Sequence, residues 1–329
     1  MKEFIFAVIG ILVISYILDK RPPIPTKNGI EIIKDVKYDN YFINKEYSKE
    51  VQKIINILKS MNPLQTPVIW TYVEIFNNYK DIQLMYDTKR IPEYFKQCID
   101  KLQENSPSLI VLTPQNISYY LPDFPIKMIK DSKIPFRKRV DILFSFILYE
   151  YGGICVSPGT IVYKTELLID RLFNHDIVTV GSSPRIINGI NYKLSPNTYI
   201  IGSKPKSNII SEYKRLLLMS VKNNHLYNLI NKESYDILSE LLHKNKVIHY
   251  HFGPEFDGTY NNNQRLLELN DYLGTEKINF MDPSNTFAIC VPYEKLFLQE
   301  YGWFLRLSKE QFNQSNLEIK RLLKEINLK

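Results

Sequence analysis

The chain has 329 residues, 44% hydrophobic and 23% charged, with a formal net charge of +7. These proportions describe a globular protein of one large domain or two ordinary ones. They exclude a disordered chain, a collagen-like fibre and a polytopic membrane protein. The positive balance favours acidic partners such as phosphates, anionic lipid or nucleic acid, but the excess is small for this length and a solvated, lysine-rich surface is the plainer reading.

Alanine occurs only at positions 7 and 288 amid abundant Ile, Lys, Asn and Tyr. That pattern reflects AT-rich coding rather than chemistry. Cys98, Cys155 and Cys290 form no CxxC pair, which argues against a disulfide framework or a Cys-rich zinc site.

Residues 4–18 read FIFAVIGILVISYIL without a charge. As a helix they would span about 22 Å, and Tyr16, Lys2, Lys20 and Arg21 can extend that reach by lying at the interface or snorkelling. A cleaved signal peptide lacks its small-residue site here. A buried core helix is possible at this length, but the stretch is apolar all round and sits at the very end of the chain. A membrane anchor over 1–20 fits best, and membrane contact is expected through residues 4–18. The protein is then a single-pass membrane protein, with the topology left open by the small charge difference across the segment.

Residues 21–26 (RPPIPT) read as an extended stem, because consecutive prolines lack donors and fix φ. Val51, Ile54, Ile55 and Leu58 fall at helical spacing within 46–60. Residues 21–66 thus form a Pro-rich stem and an amphipathic helix. A domain over 67–329 follows.

In that domain, 67–75 (PVIWTYVEI) and 108–112 read as strands and 92–105 as a helix. Residues 136–151 predict a helix so apolar that both faces must be covered. Further strands are expected over 176–180 and 198–201, and helices over 208–220 and 233–243. This alternation implies an α/β fold with a largely parallel sheet.

The most informative stretch is 139–164, RVDILFSFILYEYGGICVSPGTIVYK. It predicts a buried helix stopped by Gly152, a close approach at Gly153, a strand over 154–156 and an exposed turn at Ser157-Pro158-Gly159. In open α/β sheets ligands bind beyond strand C-termini, so this turn stands where a site belongs.

The pattern resembles the glycosyltransferases of the sugar-binding DXD type and their capsular-polysaccharide-synthesis relatives. Asp141, Leu143, Leu148, Tyr149, Tyr151, Gly152, Gly153 and Ile154 match the family motif in register, and Pro67, Ile69 and Trp70 resemble its first strand. It is also similar to degenerate members carried by large DNA viruses, which keep the Gly-Gly pair without the acids; the 300–308 stretch resembles those members too. The resemblance implies a GT-A-like nucleotide-sugar-transferase fold behind an N-terminal anchor helix, with a nucleotide-sugar or a glycan as partner and a host endomembrane or a virion membrane as settings. Three departures stand out. Phe144 replaces an arginine, and Ser157 and Gly159 replace the two DXD carboxylates that hold a divalent metal in such enzymes. No cofactor is therefore expected, neither manganese nor magnesium, because a Ser hydroxyl is a poor ligand for a hard dication.

The resemblance gives Asp141 a contact to the donor, and the residue alone fits a structural hydrogen bond equally. Trp70 would flank a base or simply fill the core. Tyr149, Gly152, Gly153 and Ser157 complete the donor side. Arg137, in a basic run with Lys127, Lys130, Lys133, Lys138 and Arg139, is a cation able to replace the metal at a diphosphate; a solvated basic loop is the plainer reading. Glu255 and Asp257, in the Gly-Pro loop 253–258, are candidate catalytic bases by position. His249 and His251 share one face of a short strand, a weak metal signal. No nucleic-acid-binding module is present. Two functions follow: sugar transfer from a nucleotide-sugar, or an inactive relative with a structural or glycan-binding role.

Overall fold

The structure, a computed structural model, describes residues 56, 67–73, 91–106, 108–114, 116–129, 131, 133–182, 185–187, 190–192, 195–222, 233–245 and 249–325. Residues 4–18, the stem and most of the 46–60 helix lie outside them; Asn56 is helical. Among the described residues no helix is long and apolar enough to cross a membrane.

Strand β1 (Ile69–Tyr72) is the central portion of the stretch expected over 67–75. Helix α1 (Glu93–Glu104) and strand β2 (Leu109–Leu112) follow, then a short turn of helix, α2 (Ile117–Tyr120), and helix α3 (Phe136–Tyr151). The chain continues as β3 (Gly153–Val156), β4 (Thr160–Val162), α4 (Glu166–Asn174) and β5 (Ile177–Ser182). A hairpin of β6 (Arg185–Ile187) and β7 (Ile190–Tyr192) leads into the long β8 (Ser195–Ser203). Helices α5 (Asn208–Lys222) and α6 (Ser234–Lys244) and strand β9 (His249–Phe252) complete the main layer. The last part contains α7 (Leu269–Leu273), β10 (Ala288–Cys290), a 3-10 turn at Tyr293–Phe297, and helices α8 (Gly302–Leu305), α9 (Lys309–Gln314) and α10 (Glu318–Lys324).

Six strands form one sheet in the order β2-β1-β3-β8-β5-β9. β1 runs parallel to β2 and β3, and β5 parallel to β9, but β8 is antiparallel to both neighbours. The expectation of a largely parallel sheet is thus corrected at its centre. A parallel neighbour needs a long crossover connection, whereas β5 and β8 are separated by the twelve residues 183–194 and among the described ones only the β6–β7 pair lies between them, which suits an antiparallel return.

Side chains alternate across the sheet and divide the core in two. Ile69, Ile154, Val156, Val178 and Ile200 face α1, α4 and the C-terminal helices. Trp70, Tyr72, Cys155, Ile177 and Ile201 face α2, α3, α5 and α6. Helix α3 lies between the sheet and α5, which is why its sequence is apolar all round. β4 leaves the main sheet to pair with β10, bringing the C-terminal segment alongside the strand that follows the Ser-Pro-Gly turn.

Candidate functional site

Helix α3 and strand β3 form a tight hairpin, so the N-terminus of α3 and the C-terminus of β3 lie at the same edge of the sheet. The candidate residues divide between the two ends of this hairpin. Arg137, Asp141 and Ser157 share one end. Tyr149, Gly152 and Gly153 are at the other.

At the Gly-Gly end the packing is dense. Gly152 has φ +67° and ψ −157°, a region open to glycine alone, and a Cβ there would lie 2.7 Å from Pro205. Gly153 has φ +93°, and its Cβ would lie 2.2 Å from the Val68 carbonyl oxygen. Trp70 is wholly buried, donates from Nε1 to the Gly152 carbonyl at 3.0 Å, and meets the rings of Tyr120 and Tyr151. It fills the core and has no face for a nucleotide base. Tyr149 lies near the surface, with Lys206 and Lys214 ammonium groups 4.7 and 4.0 Å from its ring centre.

The other end is polar, and a defect in β8 builds it. Thr179 pairs with Ile201 but Gly181 pairs with Pro196, so β5 advances two residues while β8 advances five. Asn197, Thr198 and Tyr199 are the surplus and bulge from the ladder, with Thr198 at φ +61°. A β-branched residue in the left-handed region is strained, and such bulges re-aim side chains beside functional sites.

The three bulge residues reach different carboxylates. Asn197 donates from Nδ2 to Asp257 Oδ2 at 2.7 Å. The Thr198 hydroxyl lies 3.4 Å from Asp141 Oδ2. The Tyr199 hydroxyl donates to Glu294, 3.0 Å from Oε1 and 3.2 Å from Oε2. Arg137 ties the group together. Its Nη1 is 3.2 Å from both the Tyr199 hydroxyl and Glu294 Oε1, and its Nη2 donates to the Thr198 hydroxyl at 3.1 Å and to the Asn197 carbonyl. The guanidinium lies 4.3 Å from the Tyr199 ring centre and 5.1 Å from that of Tyr235, a cation held between two faces.

Asp141 is buried, and among the described residues its Oδ1 has no hydrogen-bond partner. Burial pushes its pKa up to about 7, against the lowering pull of Arg137 and of the Ser234 and Thr198 hydroxyls. Asp257 is also buried and pushed up by burial, to about 8, although Thr259 N (3.0 Å), Thr259 Oγ1 (2.5 Å) and Asn197 all donate to it. These donors occupy both of its oxygens and pin the turn beginning at Gly253. Burial works against the charge of Arg137, yet Tyr199, Glu294 and Asp141 hold its pKa above the ordinary value. Glu255 is half-buried and folds over Gly253.

The turn at 157–159 is not exposed as expected. Residues 157–160 are all buried. A Cβ on Gly159 would meet Tyr293 at 2.9 Å, Phe95 at 3.0 Å and Tyr94 at 3.2 Å, and the Tyr94 hydroxyl donates to the Gly159 carbonyl at 2.5 Å. The β4–β10 pairing brings Tyr293 over the turn, a contact between residues too distant in sequence to be anticipated. Ser157 spends its backbone N–H on the Tyr199 carbonyl at 2.8 Å.

These residues do not fit a divalent cation: the turn offers no carboxylate, and its glycine carbonyl is already used. Among the described residues no group of three or more His, Cys, Asp or Glu is arranged for a metal. His251 instead pairs with Thr179 at 2.9 Å, and burial lowers its pKa to about 4. Of the basic run, Arg137 hydrogen-bonds within the cluster, and Lys130 lies outside the described residues. Lys127 and Lys133 are exposed, and Arg139 donates to the Ile129 carbonyl.

A family model described as capsular polysaccharide synthesis protein matches residues 85–263, more than half of the chain. The chain belongs to that family. The match takes in Arg137, Asp141, the Gly-Gly pair, the β8 bulge and Asp257, and leaves out Trp70 and Glu294. No curated protein matches. Among solved structures, one titled PaToxG Glycosyltransferase aligns at 14% identity with a TM-score of 0.34, over 60% of this chain and 78% of that one.

Asn197, Thr198, Tyr199, Tyr235 and Glu294 escaped the sequence reading. The one local signal was Pro196-Asn197, which disfavours a continuous ladder inside a strand.

Proposed function

We propose that this capsular-polysaccharide-synthesis protein transfers a sugar from a nucleotide-sugar donor, binding it at the Arg137–Asp141 end of α3 without a metal. The observation that carries this reading is the Asp141 carboxyl, buried with one oxygen unpartnered among the described residues and set beside the fixed Arg137 cation. A buried carboxyl with a free acceptor is costly unless a ligand hydroxyl completes it. Arg137 provides the positive charge that a departing diphosphate requires. The family membership supports a sugar or glycan substrate. Residues 4–18 are proposed, from their sequence, to anchor the domain to a membrane.

A second reading, a transfer-incompetent member with a structural or glycan-binding role, is favoured by the burial of residues 157–160 beneath Tyr94, Phe95 and Tyr293. The viral resemblance rests on the residue pattern alone.

Calorimetric titration of the full chain with UDP, GDP and their common sugar conjugates, with and without manganese, separates the two. Transfer predicts micromolar binding of one nucleotide, unchanged by the metal. Absence of any nucleotide binding supports the second reading.

A further inference from the structure

Glu294 sits in a seat assembled from distant parts of the chain. Arg137 Nη1 and the Tyr199 hydroxyl both reach its carboxylate at 3.0–3.2 Å. The seat is rigid because Arg137 is held by Thr198 and Asn197 and stacked between Tyr199 and Tyr235. The flanks of Glu294 are rigid too. Tyr293 and Leu296 are fully buried, and Phe297 packs on Phe95 and Phe136. The Glu294 side chain itself keeps 27% exposure. It lies at the rim, where rotation about its own bonds releases the seat while its neighbours stay buried.

Two donors, one of them a fixed guanidinium, suit a pair of phosphoryl oxygens as well as a carboxylate. We propose that this seat is a diphosphate site whose built-in occupant is Glu294, and that an incoming diphosphate displaces the Glu294 side chain. The ligand's identity rests on the nucleotide-sugar reading; the inference adds the regulation of that site. The ligand exchanges one ion pair for another, so the native chain binds weakly and neutralising Glu294 tightens binding.

The test is titration of the full chain with inorganic pyrophosphate. Glu294→Gln retains an amide oxygen for both donors. It is expected to bind pyrophosphate at least tenfold more tightly than the native chain, and Arg137→Gln in the same background removes the gain. Tyr199→Phe in the native background keeps the ring and loses only the hydroxyl; it is expected to weaken pyrophosphate several-fold, which decides the matter should Glu294→Gln fold poorly. The proposal is overturned if Glu294→Gln binds no more tightly, if the gain survives Arg137→Gln, or if pyrophosphate binds to none of these proteins. Parallel titration with UDP- and GDP-sugars separates the two ideas. Tighter pyrophosphate binding with no nucleotide-sugar binding leaves the seat and defeats the nucleotide-sugar reading. Nucleotide-sugar binding that is equal in both proteins does the reverse.

Discussion

At its C-terminal end helix α3 closes on two glycines whose neighbours leave no room for a methyl group, and Gly152 is paired internally, its carbonyl with Trp70 and its N–H with Leu148. At its N-terminal end the same helix presents Arg137 and Asp141 to a strained bulge, and among the described residues an Asp141 oxygen is left without a partner. The first end is closely packed, and its one non-glycine departure among the described residues is Lys206 at φ +57°. The second departs from several at once: positive φ at a threonine, three surplus residues in a strand, and two buried carboxyls. Packing that satisfies itself has nothing to offer a ligand. Departures from it persist when they serve one.

The comparison is broken most sharply at Gly153. Gly153→Ala forces a Cβ to 2.2 Å from the Val68 carbonyl at a φ of +93°, and is expected to cost at least about 3 kcal/mol in chemical denaturation. The next effect belongs to the opposite end. The Asp141 pKa is raised to about 7 in the folded chain from an ordinary value of 3.8. Between those values the native state holds more protons than the unfolded one, so stability falls as pH rises from about 4 to about 7. Asp257 extends the fall towards pH 8. Asp141→Asn should flatten the lower part of this profile, as followed by urea midpoints across pH.

Trp70→Phe removes a buried N–H and leaves the Gly152 carbonyl unpaired, a loss of about 1–3 kcal/mol. Ligand affinity should not change in that variant, and a calorimetric shift there would place the site at the wrong end. Tyr149→Phe keeps the ring beneath Lys206 and Lys214. It should alter the melting midpoint by no more than about 0.5 kcal/mol of stability and leave nucleotide binding unchanged.

Much of the scaffold was legible in the chain. The helix expected over 136–151 is α3 to the residue, and 92–105 and 208–220 became α1 and α5 with small changes at their ends. Apolar periodicity and the Gly-Gly stop are local signals, and local signals survive folding. Of the candidate site, Arg137, Asp141, Ser157 and Asp257 were named, and Tyr149, Gly152, Gly153 and Trp70 were placed with them although they stand at the opposite end of α3. The motif is contiguous in sequence, but a helix of sixteen residues separates its ends in space by about 24 Å. The bulge was hidden because a three-residue surplus is defined only against β5. Glu294 was hidden because it meets Arg137 across 157 residues.

The most direct measurement is amide hydrogen exchange of the full chain with and without saturating UDP- and GDP-sugars. If the ligand binds at the Arg137–Asp141 end, protection increases over 195–199 and around Glu294 and does not change over 149–154. Protection gained over 149–154, with none over 195–199, would contradict the account.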